Sequence, residues 1–218
     1  MANGKKIGVL ISGRGSNLAA LIEACAAEDY PARIGAVISS RPDAAGLQFA
    51  EQAGVPAVAL DHKDYDSREA FEAELDATLK KHGIELVCLA GFMRLLTAGF
   101  VEAWRDHLIN IHPSLLPAYP GVNIHDRVAD DGVRITGCTV HYVRTDMDKG
   151  PIIAQCAVPV LSGDTAETVA ARVLEAEHML YPLALRMVAD GTVRVSGERV
   201  MFTGKEAEAP PLFSPLRA

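Results

Sequence analysis

The chain of 218 residues contains no apolar run near the roughly 18 residues that a membrane-spanning helix needs, so no span is expected. Basic residues are in deficit: 21 Lys and Arg stand against 28 Asp and Glu, a net charge of −7. Nucleic acid and anionic bilayers demand a basic footprint, so neither is the expected main partner. A small phosphate remains open to an acidic protein, provided that backbone N–H groups and one or two basic side chains hold it locally. Cysteine is scarce, and Cys25, Cys88, Cys138 and Cys156 include no C-x-x-C pair. Reduced, buried thiols in a cytoplasmic protein are expected. Lys5 and Lys6 precede only five residues of mainly apolar character before Ser12, too short a core for a secretory signal.

What the chain does have is apolar residues, 49% of the total, enough for a sizeable core. Residues 6–12 read as a strand buried on both faces. Further strands are expected over 33–39, 55–60, 85–90 and 107–112, alternating with helices over 18–27, 44–53, 67–82 and 98–104. Ser16 or Asn17 is the expected N-cap of the first helix, and Asp66-Ser67 of the third. Past that point the pattern changes. Residues 134–143 and 151–160 are strand-like and joined by a polar turn; a helix over 165–189 and a hairpin over 191–201 follow. The expected fold is α/β and doubly wound, a mostly parallel sheet with antiparallel strands in the C-terminal half. Residues 1–203 read as one domain and 204–218, with Pro210, Pro211 and Pro215, as a tail.

Ile11-Ser12-Gly13-Arg14-Gly15-Ser16-Asn17-Leu18 joins the first strand to the first helix. Glycines let the backbone turn tightly there, and a helix N-terminus seats phosphate. A dinucleotide fingerprint would place glycine at Leu18 and an acid where Ser39-Ser40-Arg41 stands, so NAD is disfavoured. No Walker-type G-x-x-x-x-G-K-[ST] is present.

Asn110 and His112 lie two apart at the end of an expected strand, so they share a face, while Ile109 and Ile111 point the other way. The carboxyl end of a parallel strand is where open α/β sheets bind ligands. An amide and an imidazole side by side suit a carbonyl oxygen that gains negative charge. The polar turn Arg144 to Ile153 offers Asp146 and Asp148, either of which could keep His112 protonated by pairing with it.

Four runs occur in order: the glycine loop above, Leu89-Ala90-Gly91-Phe92-Met93-Arg94-Leu95-Leu96, Asn110-Ile111-His112-Pro113-Ser114-Leu115-Leu116-Pro117, and Asp148-Lys149-Gly150-Pro151-Ile152. With them the chain, from about Lys6 to Ala189, closely resembles the phosphoribosylglycinamide formyltransferases of the folate-dependent formyltransferase family. The resemblance implies the formyltransferase fold and transfer of a formyl group from 10-formyltetrahydrofolate to the amine of glycinamide ribonucleotide, with no metal. It implies Asn110, His112 and Asp148 as the catalytic set, which favours Asp148 over Asp146. It implies Gly15, Ser16, Asn17 and Glu177 for the ribonucleotide, and Arg68, Met93, Arg94, Leu95, Leu96 and Asn110 for the folate. Residues 1–105 would carry the phosphate-bearing substrate, and 106–203 the folate and the chemistry. Ala118 and the stretch Val122 to His125 depart from the family pattern, and His125 stays outside the catalytic set.

Three other readings are weighed: another formyl enzyme, a non-catalytic binding module, and a nucleotide-dependent oxidoreductase, which Leu18 and the missing acid disfavour. A formyltetrahydrofolate deformylase should carry an additional N-terminal domain, and a methionyl-tRNA formyltransferase an additional C-terminal one with basic surface. A non-catalytic folate- or phosphate-binding module would not need the Asn-His-Asp set. The expected partners are the two small molecules, with no nucleic acid and no membrane, acting on a monomer or homodimer in the cytoplasm.

Overall fold

The structure, a computed structural model, describes residues 4–204 and 212–214, so most of the expected tail lies outside the described residues. Strand β1 is Lys5–Ile11 and β2 is Ala32–Ser39, with helix α1 (Ser16–Cys25) between them. Helix α2 (Gly46–Gln52) leads to β3 (Ala57–Ala59), and α3 (Arg68–Lys81) to β4 (Leu86–Leu89). Helix α4 (Ala98–Ala103) precedes β5 (Leu108–His112). Helix α5 (Ile124–Asp130), strands β6 (Ile135–Tyr142) and β7 (Ile152–Pro159), helix α6 (Ala166–Ala189) and the hairpin β8 (Val193–Ser196) and β9 (Arg199–Phe202) complete the described chain.

Seven strands form one sheet in the order β3-β2-β1-β4-β5-β6-β7. The β1–β2, β1–β4, β2–β3 and β4–β5 pairs are parallel, whereas β6–β7 is antiparallel. This is the mostly parallel, doubly wound α/β architecture that the alternation implies. The order reverses at β1, the first strand laid down, which puts the loop after β1 at a topological switch point.

The chain divides into two compact units. One holds the residues up to Asn110 with Tyr142–Thr145; the second holds Ile111–His141 and the described residues from Asp146 on. In the first unit β1 is buried on both faces, with Ile7, Val9, Leu10 and Ile11 fully buried. Leu10 and Ile38 from the sheet pack with Phe71, Leu75 and Leu79 of α3 and with Trp104. Those α3 residues recur at helical spacing, which is why this helix forms only with one face on the sheet. Ser67 Oγ accepts the Ala70 N–H at 3.1 Å and caps α3, as expected. Gly83, at φ +65°, follows its end.

In the second unit Thr165 and Thr168 form a reciprocal capping box at the start of α6. Arg172 binds Asp164 through two hydrogen bonds of 2.7 and 3.0 Å just ahead of that helix.

Three expectations change. Helix α1 begins at Ser16 and its cap is Gly15, at φ +79°, with no side-chain capping bond from Ser16 or Asn17. A Cβ at Gly15 would stand 2.6 Å from the Cα of Gly46, so the turn is shaped by close backbone approach. Helix α5 was not anticipated, because its seven residues are too few to show a period. The free cysteines divide: Cys88 and Cys138 are buried, whereas Cys25 and Cys156 are partly exposed.

Candidate active site

In the first unit, β1 delivers Ser12 to the end of the strand, where its Oγ lies 2.7 Å from the Oγ of Ser40 at the end of β2. Ser12 Oγ also accepts the Met93 N–H at 2.9 Å, tying the loop after β4 to the loop after β1. The first bond within α1 runs from the Ala19 N–H to the Gly15 carbonyl. The N–H groups ahead of Ala19 have no intrahelical acceptor, and they carry the positive end of the helix dipole. Gly15, Ser16 and Asn17 therefore lie on a strand-to-helix turn of the kind that seats phosphate. Arg41, in the stretch where a dinucleotide site would place its acid, has its guanidinium engaged by Asp43 at 2.6 and 3.0 Å.

Met93 and Leu95 are 79% and 62% exposed, so they are not core. Their neighbour Leu96 packs against the core cluster. Two apolar side chains held open on a tethered loop suit a flat aromatic heterocycle such as a pterin. Arg94 is half-buried, and Arg68 is exposed at the first position of α3. Asn110 is half-buried on β5, two residues before His112 and on the same face.

The second unit contains the polar centre. His112, at the end of β5, is buried, and its Nε2 lies 3.0 Å from the carbonyl oxygen of Tyr119. A carbonyl only accepts, so Nε2 carries a proton. The other ring nitrogen, Nδ1, stands 3.6 Å from Oδ2 of Asp148. That oxygen also accepts the Gly121 N–H at 2.8 Å. On the other side of the carboxylate, Oδ1 lies 3.8 Å from His141 Nε2. Asp148 itself sits at φ +56°, a left-handed conformation that Asp tolerates better than most residues. Asp146 points away from this centre and pairs with Lys149 at 3.2 Å, with both side chains exposed. The turn by itself left Asp146 and Asp148 open and the resemblance favoured Asp148; tertiary geometry sets Asp148 beside His112.

The run after His112 is held by buried polar bonds. Thr139 Oγ1 donates to the Ser114 carbonyl at 2.7 Å and accepts the Leu116 N–H at 3.0 Å. Ser114 Oγ donates to the Ala118 carbonyl at 2.6 Å. Burial holds the His125 imidazole below its ordinary pKa, Asp126 opposes that, and the charge of His112 adds to it. Glu177 is buried on α6. Burial pushes the Cys138 thiol up to about 12, with Glu177 and Cys156 adding to the rise, which sets Glu177 near β6.

Sequence reasoning missed Tyr119, Gly121 and His141. The first two act through backbone groups, which leave no side-chain signal. His141 had one: a lone histidine in a strand of otherwise small, apolar or hydroxyl side chains. Among the described residues, no group of three or more His, Cys, Asp or Glu is arranged to hold a metal. No helix among them is long and apolar enough to cross a membrane.

Residues 5–185 match the Formyl transferase family. The chain is 50% identical over 193 residues to the trifunctional purine biosynthetic protein adenosine-3 of Gallus gallus, covering 88% of this chain and 19% of that protein. It therefore spans about a fifth of that multi-activity relative. It is 42% identical over 197 residues to the phosphoribosylglycinamide formyltransferase of Escherichia coli (strain K12), covering 90% and 93% of the two chains. Among solved structures, glycinamide ribonucleotide transformylase 1 from Symbiobacterium toebii superimposes with a TM-score of 0.89 at 46% identity, covering 93% and 95% of the two chains.

Proposed function

The chain belongs to the formyl transferase family, and from that premise we propose that it transfers the formyl group of 10-formyltetrahydrofolate to the primary amine of glycinamide ribonucleotide in purine biosynthesis. The observation that carries this reading is the buried His112–Asp148 pair at the end of β5, two residues beyond Asn110.

The chemistry is attack of an amine on a formyl carbon, which builds negative charge on the formyl oxygen. The Asn110 amide and the His112 imidazolium stabilise that charge. Nε2 of His112 donates to the Tyr119 carbonyl in the resting site, and it turns this proton to the oxyanion when substrate enters. Asp148 orients the ring and accepts the amine proton through water; the tetrahedral adduct then collapses by breaking the bond between the formyl carbon and the folate nitrogen, which leaves with that proton returned to it through water. No covalent enzyme intermediate is needed, because the amine is itself the nucleophile. Gly15, Ser16 and Asn17 hold the substrate phosphate, and Glu177 holds the ribose hydroxyls. Arg68, Met93, Arg94, Leu95, Leu96 and Asn110 bind the folate; the exposure of Met93 and Leu95 supports this. Phosphate binding belongs to residues 1–105 and the formyl chemistry to 106–203. The protein acts in the cytoplasm on these two small molecules, as a monomer or homodimer.

The test mixes enzyme, glycinamide ribonucleotide and 10-formyltetrahydrofolate. Deformylated folate is expected only when the ribonucleotide is present. Release without the ribonucleotide overturns the reading in favour of a deformylase, and binding with no turnover overturns it in favour of a non-catalytic module.

A further inference from the structure

Asp148 is faced by two imidazoles, and only one of them has a part in the chemistry above. His141 comes from β6, is 2% exposed, and brings Nε2 to 3.8 Å from Oδ1. We propose that His141 is a positioning residue for the transfer reaction: it holds Oδ1 of Asp148 so that Oδ2 stays aimed at His112. The inference rests on the formyl-transfer reading.

Three observations converge on it. Burying an imidazole is costly unless it finds a polar partner, and the residues beside it on β6, Val140 and Tyr142, are themselves buried. The pairing of β6 with β7 is irregular at this residue. Val140 pairs with Ala154, but His141 pairs with Ile152, so one residue of β7 is skipped and the register shifts there. The extra residue, Ile153, lies on β7 opposite this point, and irregularities of this kind gather beside active sites. Third, a carboxylate turns readily about its last bond, because that torsion is broad. The partners of Oδ2 fix one oxygen of Asp148, and a partner on Oδ1 as well restrains the carboxylate at both.

The groups around the carboxylate divide accordingly. His112 from β5 and the Gly121 N–H take Oδ2, and His141 from β6 takes Oδ1. Asp146, on the same turn, is drawn outward to Lys149. His141 is given no part in the oxyanion chemistry, and its contact with Oδ1 is the route by which it acts on Asp148.

The experiment compares steady-state kinetics of the wild type, His141→Leu, His141→Gln, Asp148→Asn and the double variant His141→Leu/Asp148→Asn, each checked for folding by circular dichroism. His141→Leu is expected to lower kcat about ten-fold or more while KM for both substrates stays within about two-fold. His141→Gln, which keeps a donor, recovers most of the loss. In the Asp148→Asn background, His141→Leu costs less than about two-fold, because the carboxylate it positions is gone. An unchanged kcat in folded His141→Leu overturns the proposal, as does an equal loss in both backgrounds. If His141→Leu does not fold, ring ¹⁵N spectra of the wild type and of Asp148→Asn decide. The His141 resonances are expected to move on Asp148→Asn, and unmoved resonances overturn the proposal. A wild type that transfers no formyl group overturns the functional reading instead, and the spectra still decide whether His141 engages Asp148.

Discussion

Nδ1 of His112 stands 3.6 Å from Oδ2 of Asp148, and that same oxygen already accepts the Gly121 N–H at 2.8 Å. The imidazole and the carboxylate thus face each other with a backbone donor steadying the acid, and their side chains are only 6% and 10% exposed. Removal of water around the pair strengthens the electrostatic interaction between the two side chains. His112→Ala should lower kcat by a factor of about 10²–10³, the usual effect of losing one oxyanion donor, and Asp148→Asn, which removes the group that orients that donor and takes the amine proton, by a similar factor. Steady-state turnover of variants with wild-type circular dichroism checks this, and near-normal turnover in either removes the pair from the mechanism.

The glycine loop makes a separate prediction. Gly15 has φ +79°, and a Cβ there would meet the Cα of Gly46 at 2.6 Å. Left-handed backbone costs an alanine about 1–2 kcal/mol, and the overlap adds to that. Gly15→Ala should therefore lower the melting temperature and raise KM for the phosphate-bearing substrate more than KM for the folate. Equal effects on the two KM values would separate the loop from phosphate binding.

Met93 and Leu95 are exposed, so their replacement leaves the core intact. Leu95→Asp should change stability by less than about 0.5 kcal/mol. It should raise KM for the folate about ten-fold, on the scale of a buried apolar side chain lost from a ligand pocket. Thermal unfolding alongside folate saturation curves measures both. A large fall in melting temperature would return these residues to a structural role.

Asp164 supplies a prediction in pH. The Arg172 side chain, together with the Leu161 N–H, holds its carboxyl well below the usual carboxylate range. A depressed folded-state value means that the stability is present above the ordinary value of about 4 and is lost as pH falls through the folded one. Arg172→Met should melt below the wild type at about pH 7, and the gap should close as the pH drops below about 4. Melting curves across that range check it, and a gap independent of pH would mean that the loss is packing alone.

Much of the architecture was legible because it is written in periods. The strand at 108–112 and the helix at 68–81 follow from apolar spacing, a serine cap and a glycine stop. Helix α5 was not legible, since seven residues carry barely two turns. The cap of α1 was misjudged for a different reason. Ser16 and Asn17 are good capping residues, but the close approach of Gly46 to Gly15 decides where the helix begins.

The same division runs through the site. Residue type and a spacing of two made Asn110 and His112 a paired polar feature on one strand face, because side chains alternate along any strand. That much needs no partner element. Which acid meets His112 is a contact between residues 36 positions apart in sequence (148 less 112), and no local pattern encodes it. The turn at 146–149 folds Asp146 out to Lys149 and Asp148 in to His112, and β6 brings a second imidazole, His141, to the same carboxylate. The sequence determined the kinds of groups and the faces they occupy. Tertiary structure decided which of them meet, because burial leaves each charged or polar side chain only the partners that packing brings within reach.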